Sequence, residues 1–172
     1  MSFDLQPILK SDLVKIRPLH PDDFEDLFAV ASDPLIWEQH PVSNRYEEAE
    51  FRTFFQNSLE SGGALLVKDA HTKAVIGSYR FYGYSQERSE IEIGWIFLAR
   101  SHWGGAYNSE IIKLMAQHAF KFVDHVVYLV SPTNYRSRRA IEKLGGIQIA
   151  PRPDASGHHS HVYQIKASTL FG

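Results

Sequence analysis

Two glutamates in the stretch SEIEIGWIFL are the first residues whose type and spacing could support chemistry. Because successive side chains of a strand point to opposite faces, every second residue is predicted to share one face: Glu90, Glu92, Gly94, Ile96 and Leu98. Carboxylates among apolar residues on a central strand are unusual, and perturbed carboxylates in clefts often mark acid–base chemistry. The alternative interpretation is a solvated strand end that carries two surface acids.

The second candidate is the loop SHWGGAYN, residues 101–108, which joins that strand to a predicted helix. Unpaired backbone N–H groups and the helix dipole make a helix N-terminus attractive to phosphate. Gly104 and Gly105 would let the backbone approach an anion closely and adopt positive φ where needed. An ordinary turn is the alternative, and the two familiar phosphate-binding patterns GxxxxGK[ST] and GxGxxG are absent.

The third set of candidates lies on the helix predicted for NYRSRRAIEKLGG, residues 134–146. Asn134 suits the N-cap position, and Ser137 falls in the first turn. Four basic residues make this helix locally cationic in a chain of net charge −2: Arg136, Arg138, Arg139 and Lys143. A solvated face is the usual explanation of such a run, and a contact with a phosphate group is the alternative.

The histidines of GHHSH, residues 157–161, raise the question of a metal site. His159 and His161 would share a strand face, but Asp154 is the only acidic or thiol side chain nearby at ligand spacing. Turn and strand histidines are therefore the preferred interpretation, and no metal is expected.

Hydrophobic periodicity and turn residues predict the elements that must hold these candidates. The predicted strands cover residues 13–19, 64–69, 74–84, 89–98, 126–130 and 161–166, and the predicted helices cover 20–32, 33–40, 46–61, 108–123 and 134–146. Short polar turns join the three strands between residues 64 and 98, which predicts an antiparallel meander. The order of elements predicts a mixed α/β sheet with helices packed on its faces.

Composition narrows the classes of function. A length of 172 residues predicts one domain over residues 1–172, and 44% hydrophobic with 22% charged residues is typical of a globular protein. The slight acidic excess disfavours nucleic acid as a partner. The absence of cysteine excludes disulfides, thiolate metal sites and a Cys nucleophile. Without a secretory pattern or a membrane-length apolar run, a cytoplasmic protein with no membrane partner is expected.

Three blocks of the chain resemble the GNAT N-acetyltransferases, especially the RimJ/RimL-like branch. EIGWIFLARSHWGGAYNSEIIKLMAQHAF resembles the acetyl-CoA-binding motif, and NYRSRRAIEKLGG resembles N-x-x-S-x-x-A-x-E-K-L-G-F. VKIRPLHPDDFEDLFAVASDPLIWEQHP is similar to R-P-L-x-x-x-D followed by D-P-x-x-W. The blocks follow the family's order and cover most of the chain. The sequence departs from the motifs at Ala106, Asn108 and Gly146.

The resemblance implies a GNAT-like acyl-CoA N-acyltransferase fold, with a mostly antiparallel central sheet flanked by helices. It implies direct transfer of an acetyl group from acetyl-CoA to a primary amine, either a protein N-terminus or a small amine. It also implies that Glu92, with Glu90 second, is the general base, and that Ser137 protonates the thiolate or only caps its helix. The residues implied to bind the cofactor are Phe97, Leu98, Trp103, Gly104, Gly105, Ala106, Tyr107, Asn108, Asn134 and Arg139.

Two other functions stay open at this point. A non-catalytic acyl-CoA-binding sensor or partner module would share the loop, and a phosphate-ligand enzyme of another kind is a weaker alternative. Glu92 discriminates, because only an enzyme needs it in the cleft beside the thioester. Several aromatic residues are predicted as core, and some could line an acceptor pocket: Trp37, Phe54, Phe55, Tyr79, Phe81 and Trp95. The acceptor and the oligomeric state stay open, with a homodimer as one option.

Overall fold

The computed structural model describes residues 3–40, 42–153 and 159–168. Within these ranges eight strands form one sheet: β1 Leu9–Lys10, β2 Val14–Pro18, β3 Ala64–Asp69, β4 Val75–Ser85, β5 Glu90–Leu98, β6 His125–Val130, β7 Ile147–Pro153 and β8 His159–Lys166. Four α-helices accompany it: α1 Phe24–Ala31, α2 Glu48–Ser61, α3 Tyr107–Ala119 and α4 Tyr135–Lys143. None of the helices described here is long and apolar enough to cross a membrane.

The strands lie in the order β1-β2-β3-β4-β5-β6-β8-β7. Neighbouring strands run antiparallel except β5 and β6, which are parallel. A parallel pair requires a crossover connection, and α3 provides it. The predicted mixed sheet, its mostly antiparallel character and the meander of β3, β4 and β5 are thereby confirmed.

The parallel pair β5–β6 is joined only at its start. Glu90 pairs with His125 and Glu92 with Val127, and no later residue of β5 pairs with β6 in the described chain. The diverging ends of the two strands open a cleft in the middle of the sheet. A strand whose neighbour turns away presents backbone N–H and C=O groups to whatever enters the gap.

A β-bulge at Trp95 distorts β5 beside this cleft. Trp95 has a φ of 54°, in the left-handed region that a bulky residue rarely adopts. Arg80 of β4 pairs with Gly94, whereas Ser78 pairs with Phe97, so one residue of β4 faces two residues of β5. The strand therefore contains one residue more than a regular ladder would hold.

The prediction that alternate residues of β5 share one face throughout is wrong because of this bulge. Before it, Ile91 and Ile93 pack into the hydrophobic cluster that contains α3, and after it Ile96 and Leu98 do. Since one extra residue reverses the alternation of faces, Glu92 lies on the opposite side of the sheet from Ile96 and Leu98.

Two hydrophobic clusters cover the two faces of the sheet. The first packs α3 onto the sheet and includes the predicted core residues Tyr79 and Phe81. The second packs α1 and α2 onto the other face, with Trp37, Phe54 and Phe55 buried in it. Trp95 is half-buried against this second cluster. The six aromatic residues predicted as core therefore lie in or against the two clusters.

Two features of the fold differ from the predicted elements. The helix predicted for residues 33–40 is a single 3₁₀ turn, Pro34–Ile36, followed by the buried Trp37, whose indole N–H donates to the Ala31 carbonyl oxygen at 2.8 Å. Strands β1 and β7 have no counterpart in the predicted set. The first is two residues long, and the second is mostly exposed and contains two prolines, so neither carries an alternating pattern.

Candidate active site

The cleft between β5 and β6 holds two cavities that meet at its centre. The glutamate cavity, named after Glu92, measures about 150 Å³ and lies beside Trp95 and the end of β6. The loop cavity, of about 110 Å³, lies beneath the loop that precedes α3. The residues that line both cavities are His40, Ile96, Tyr128 and Ser137. A chemical group bound at these four residues would be accessible from both cavities.

Glu92 is half-buried and lines the glutamate cavity next to Tyr82, its pairing partner on β4. Glu90 does not line either cavity. Its buried carboxylate accepts two hydrogen bonds from Arg152, Nη1 to Oε1 at 2.5 Å and Nη2 to Oε2 at 3.1 Å, and Arg88 Nε lies 3.5 Å from Oε1. Glu90 is therefore held in a structural ion pair, and of the two glutamates only Glu92 faces the cleft.

Ser137 and Asn134 enter the site from the first turn of α4. Asn134 is buried and is the N-cap, because its Oδ1 accepts the backbone N–H of Ser137 at 3.3 Å. Asn134 also lines the glutamate cavity, and Ser137 lies where the two cavities meet. The predicted N-cap is confirmed by this geometry, and Ser137 is brought close to the junction that a reacting group would occupy.

The loop of residues 101–108 contributes part of the loop cavity. Trp103, Gly104 and Asn108 line it together with the end of β5 at Phe97 and Leu98. The indole N–H of Trp103 donates to the Leu98 carbonyl oxygen at 2.8 Å, which ties the loop to the strand. The other three predicted loop contacts, Gly105, Ala106 and Tyr107, do not line either cavity.

The two loop glycines differ in conformation. Gly104 has a φ of 73°, whereas Gly105 lies outside the positive-φ region, so only Gly104 needs the left-handed conformation that favours glycine. At both positions an added Cβ would meet no heavy atom within 4 Å. The backbone here faces open space, which fits a group that approaches it closely.

Asp69 at the end of β3 holds this loop in place through hydrogen bonds. Its Oδ2 lies 2.9 Å from His102 Nε2 and accepts the Tyr107 hydroxyl at 3.2 Å. The His102 hydrogen bond, with the backbone N–H groups of Thr72 and His71, holds the pKa of the Asp69 carboxyl well below its usual range. Because Asp69 is far from the loop in sequence, no local pattern marks it as an anchor.

Arg45 lines the glutamate cavity, and a second arginine, Arg80, lies behind its aromatic wall. The Arg45 guanidinium carbon lies 4.7, 5.6 and 5.8 Å from the ring centres of Phe54, Trp95 and Trp37. Buried Arg80 lies on the other side, 4.4 Å from the Trp95 ring, and donates to Asn57 and Ser58. Sequence reasoning missed both arginines, because neither stands in a motif.

His40 stays neutral between the two cavities. Burial, and then the charges of Arg45 and Arg136, lower its pKa to about 4. Arg136 closes the loop cavity above Trp103, with its guanidinium carbon 3.7 Å from the ring centre. Its backbone N–H donates to Gln39 Oε1 at 3.2 Å, so the segment before His40 and the start of α4 are held together.

Arg139 and the histidines of residues 157–161 complete the set of sequence-based candidates. Arg139 is exposed and lies outside the lining of both cavities, so its phosphate contact stays a prediction. His161 is hydrogen-bonded to Gln148 Nε2 through Nδ1. Asp154 and the side chain of His159 lie outside the described residues, and within the described part of the chain no group of three His, Cys, Asp or Glu side chains could hold a metal ion.

Comparisons with known proteins agree with this geometry. Residues 14–147 match the family model for the acetyltransferase (GNAT) domain. The chain is 26% identical over 146 residues to the uncharacterized N-acetyltransferase YoaA of Bacillus subtilis strain 168, covering 81% of this chain and 82% of the relative.

Solved structures share the fold. A GCN5-related N-acetyltransferase from Brucella melitensis superposes with a TM-score of 0.82 at 19% identity, covering 95% of this chain and 80% of that one. RimJ of Mycobacterium smegmatis, solved in complex with CoA-disulfide, superposes with a TM-score of 0.72 at 16% identity, covering 97% and 89%. Since the family model spans most of its length, the chain belongs to the GNAT acetyltransferase family, whose members use acetyl-CoA, and it is an acyltransferase.

Proposed function

We propose that this acyltransferase moves an acetyl group from acetyl-CoA directly to a primary amine, within one ternary complex. The observation that carries the proposal is the pair of cavities that meet at Ser137 and Tyr128, one beside Glu92 and one beneath the loop of Trp103 and Gly104. Two substrates, one in each cavity, would bring their reacting groups together there. No cysteine exists to carry the acetyl group in between.

The loop cavity is the proposed site of acetyl-CoA. The backbone at Gly104 and Gly105 faces open space, as a phosphate cradle at the start of α3 requires. The edge of β5 beyond Glu92 has no strand partner on the cleft side in the described chain, so an extended amide-containing arm could pair with it. When bound, acetyl-CoA supplies a thioester whose carbonyl carbon accepts the amine.

Glu92 is the proposed general base on the acceptor side. A primary amine attacks only in its neutral form, and an α-amine with a pKa of about 7.7–8.0 or a lysine near about 10.4 is largely protonated at neutral pH. The new N–C bond forms as the C–S bond breaks, and the amine proton passes to Glu92 directly or through water. Ser137, at the junction, is the proposed donor of the proton that the thiolate leaving group takes.

The position of Glu92 in the cleft, together with the family, favours an enzyme over a non-catalytic acyl-CoA sensor or partner module. The acceptor is proposed only as a primary amine on a protein N-terminus or a small molecule. One domain over residues 1–172, a cytoplasmic location, the absence of nucleic-acid or membrane partners and a homodimer as one option for the assembly stay predictions.

The experiment is an acceptor screen that follows free thiol released from acetyl-CoA. We expect acetyl-CoA alone to raise the melting temperature, because a ligand that binds only the native state stabilises it by mass action. We then expect release of thiol to depend on at least one amine. A protein with no thermal shift at millimolar acetyl-CoA would contradict the assignment of the loop cavity, and hydrolysis without any amine requirement would contradict amine transfer.

A further inference from the structure

Arg45 lines the proposed acceptor site as a cation that has no counter-ion within 4 Å among the described residues. It is half-buried, lines the glutamate cavity and is held by the faces of Phe54, Trp95 and Trp37. Among the residues that the structure describes, its guanidinium forms no hydrogen bond and no ion pair within 4 Å. A guanidinium has five N–H donors in a planar fork, so those of half-buried Arg45 can be offered to a ligand in the cavity.

Within the described residues no carboxylate contacts the Arg45 guanidinium. Burial lowers the pKa of Arg45 only to about 10, so it stays protonated at neutral pH, and Glu50 acts on it at longer range. Two further cations face the same region, Arg80 across the Trp95 ring and Arg136 across His40. The acid that lines the same cavity is Glu92, which is needed to accept a proton.

The glutamate cavity therefore has two charged poles, cationic Arg45 and acidic Glu92, with an aromatic wall between them. Trp95 links the poles, because its ring lies 5.6 Å from the Arg45 guanidinium carbon and its backbone follows Gly94, where an added Cβ would lie 3.4 Å from Glu92 Oε1. Carboxylates are the groups that a planar guanidinium binds with two parallel hydrogen bonds. An aromatic wall favours an apolar carbon skeleton between the charged ends.

We infer that the glutamate cavity takes an acceptor that carries a carboxylate in addition to its amine, with the carboxylate on Arg45 and the amine beside Glu92. The inference rests on the proposed acetyl transfer to an amine and specifies its substrate class. Two sources share this chemistry, namely a free amino acid and a peptide whose N-terminal residue has an acidic side chain.

The first experiment compares amino acids with the matching amino-acid amides as acceptors, with thiol release as the readout. We expect kcat/KM for the acids to exceed that for the amides at least ~10-fold, which corresponds to about 1.4 kcal/mol. The amide has the less basic amine, so more of it is neutral, and a preference for the acid must come from the carboxylate. Equal rates for acids and amides, together with no preference for Glu-Ala-Ala-amide over Gln-Ala-Ala-amide, would overturn the inference.

The second experiment locates that preference at Arg45. Arg45→Gln should remove it, by raising KM for the acids while leaving KM for the amides and for acetyl-CoA within about twofold, and Arg45→Lys should retain part of it. Arg52→Gln is the matched control, because Arg52 also stacks on a ring, 4.2 Å from the centre of Phe24, but lies outside both cavities. Equal losses for acids and amides in Arg45→Gln would mean that Arg45 only supports the aromatic wall, and the inference would be wrong.

The two sources are separated with peptides, and failure of this inference is separated from failure of the proposed function. Glu-Ala-Ala-amide acetylated faster than Gln-Ala-Ala-amide would indicate an acidic N-terminus, whereas activity on free amino acids alone would indicate a small-molecule acceptor. Acetylation of simple amines without carboxylates, at equal or higher kcat/KM, would keep the acetyl transfer and overturn the inference. Absence of an acetyl-CoA thermal shift and of any thiol release would overturn both.

Discussion

The loop cavity and the glutamate cavity are built in different ways, although they share the same cleft. Most of the loop cavity is lined by two short stretches, residues 96–108 and 136–140. The glutamate cavity combines the segment 37–45 with side chains from α2, from the start of α4 and from the strands β4, β5, β6 and β8. A cofactor that a whole family shares can be bound by a few short stretches of sequence, which a motif can describe. An acceptor pocket built from many separate elements can change at each of them independently. Family resemblance therefore predicts the loop cavity well and the glutamate cavity poorly.

The largest expected effect is the loss of catalysis on substitution of Glu92, which should spare cofactor binding in the loop cavity. Glu92→Gln should lower kcat by ~10²–10⁴-fold, the usual cost of losing a general base, and should leave the Kd for acetyl-CoA nearly unchanged. Steady-state kinetics and calorimetric titration would measure the two quantities. Glu90→Gln is the matched control, because it breaks the ion pair with Arg152 outside both cavities. It should lower the melting temperature and leave kcat nearly unchanged. Full activity in Glu92→Gln would assign the proton transfer to water.

Substitution of the two loop glycines should have the opposite kinetic effect, on acetyl-CoA binding and not on kcat. Gly104→Val must force a branched side chain to a φ of 73°, at a cost of about 1–3 kcal/mol, whereas Gly105→Val meets open space without that strain. We expect both to raise KM for acetyl-CoA, Gly104→Val by about tenfold or more, with kcat at saturation much less affected.

Titration with coenzyme A and with pantetheine, which lacks phosphate, identifies the lost contact. Gly105→Val should weaken coenzyme A binding and leave pantetheine binding unchanged, because its backbone is not strained in the free protein. An equal loss for both ligands would show that these glycines only form a turn.

Ser137 lies where the two cavities meet, and its replacement should lower kcat less than the replacement of Glu92 does. A thiol has an ordinary pKa of about 8.5, so the leaving group needs little help, and Ser137→Ala should lower kcat by roughly tenfold or less. Thiol-release assays over a range of pH would measure it. A loss larger than that of Glu92→Gln would reverse the order of the two residues.

The last prediction concerns His40 and the stability of the junction. Its pKa is lowered to about 4, whereas in the unfolded chain it should titrate near ~6.5. Between these values the unfolded state binds a proton that the native state does not, so the free energy of unfolding should decrease as pH falls from about 6.5 to about 4. His40→Gln should reduce this slope by up to ~1.36 kcal/mol per pH unit. Urea denaturation at several pH values would show it, and parallel slopes for both proteins would contradict a neutral His40.

Local signals predicted the parts of the molecule that local physics determines. Asn134 as an N-cap follows from a single-residue preference. The meander follows from alternation and short turns. Trp95 gives no such signal, because an aromatic residue at positive φ is stable only when the surrounding sheet and helices enforce it.

The acceptor side was the least predictable part of the site for the same reason. Arg45 and His40 stand in a segment with no periodicity, and they reach the cleft only because Trp37 is buried beneath them and α4 contacts Gln39. Asp69 reaches the loop across the sheet. The contacts of Gln39 with Arg136 and of Asp69 with His102 join residues more than thirty positions apart, and a single sequence contains no record of such contacts.

The bulge at Trp95 also marks a place where this strand can change its length. In a regular strand, loss of one residue moves every later side chain to the other face. Deleting Trp95 would instead restore the regular ladder, because Gly94 and Phe97 would keep their partners Arg80 and Ser78, and Phe97 and Leu98 would stay in their own clusters. Descendants of this sequence can therefore lose the bulge without rebuilding either core, but they would also lose the Trp95 ring that lies between Arg45 and Arg80.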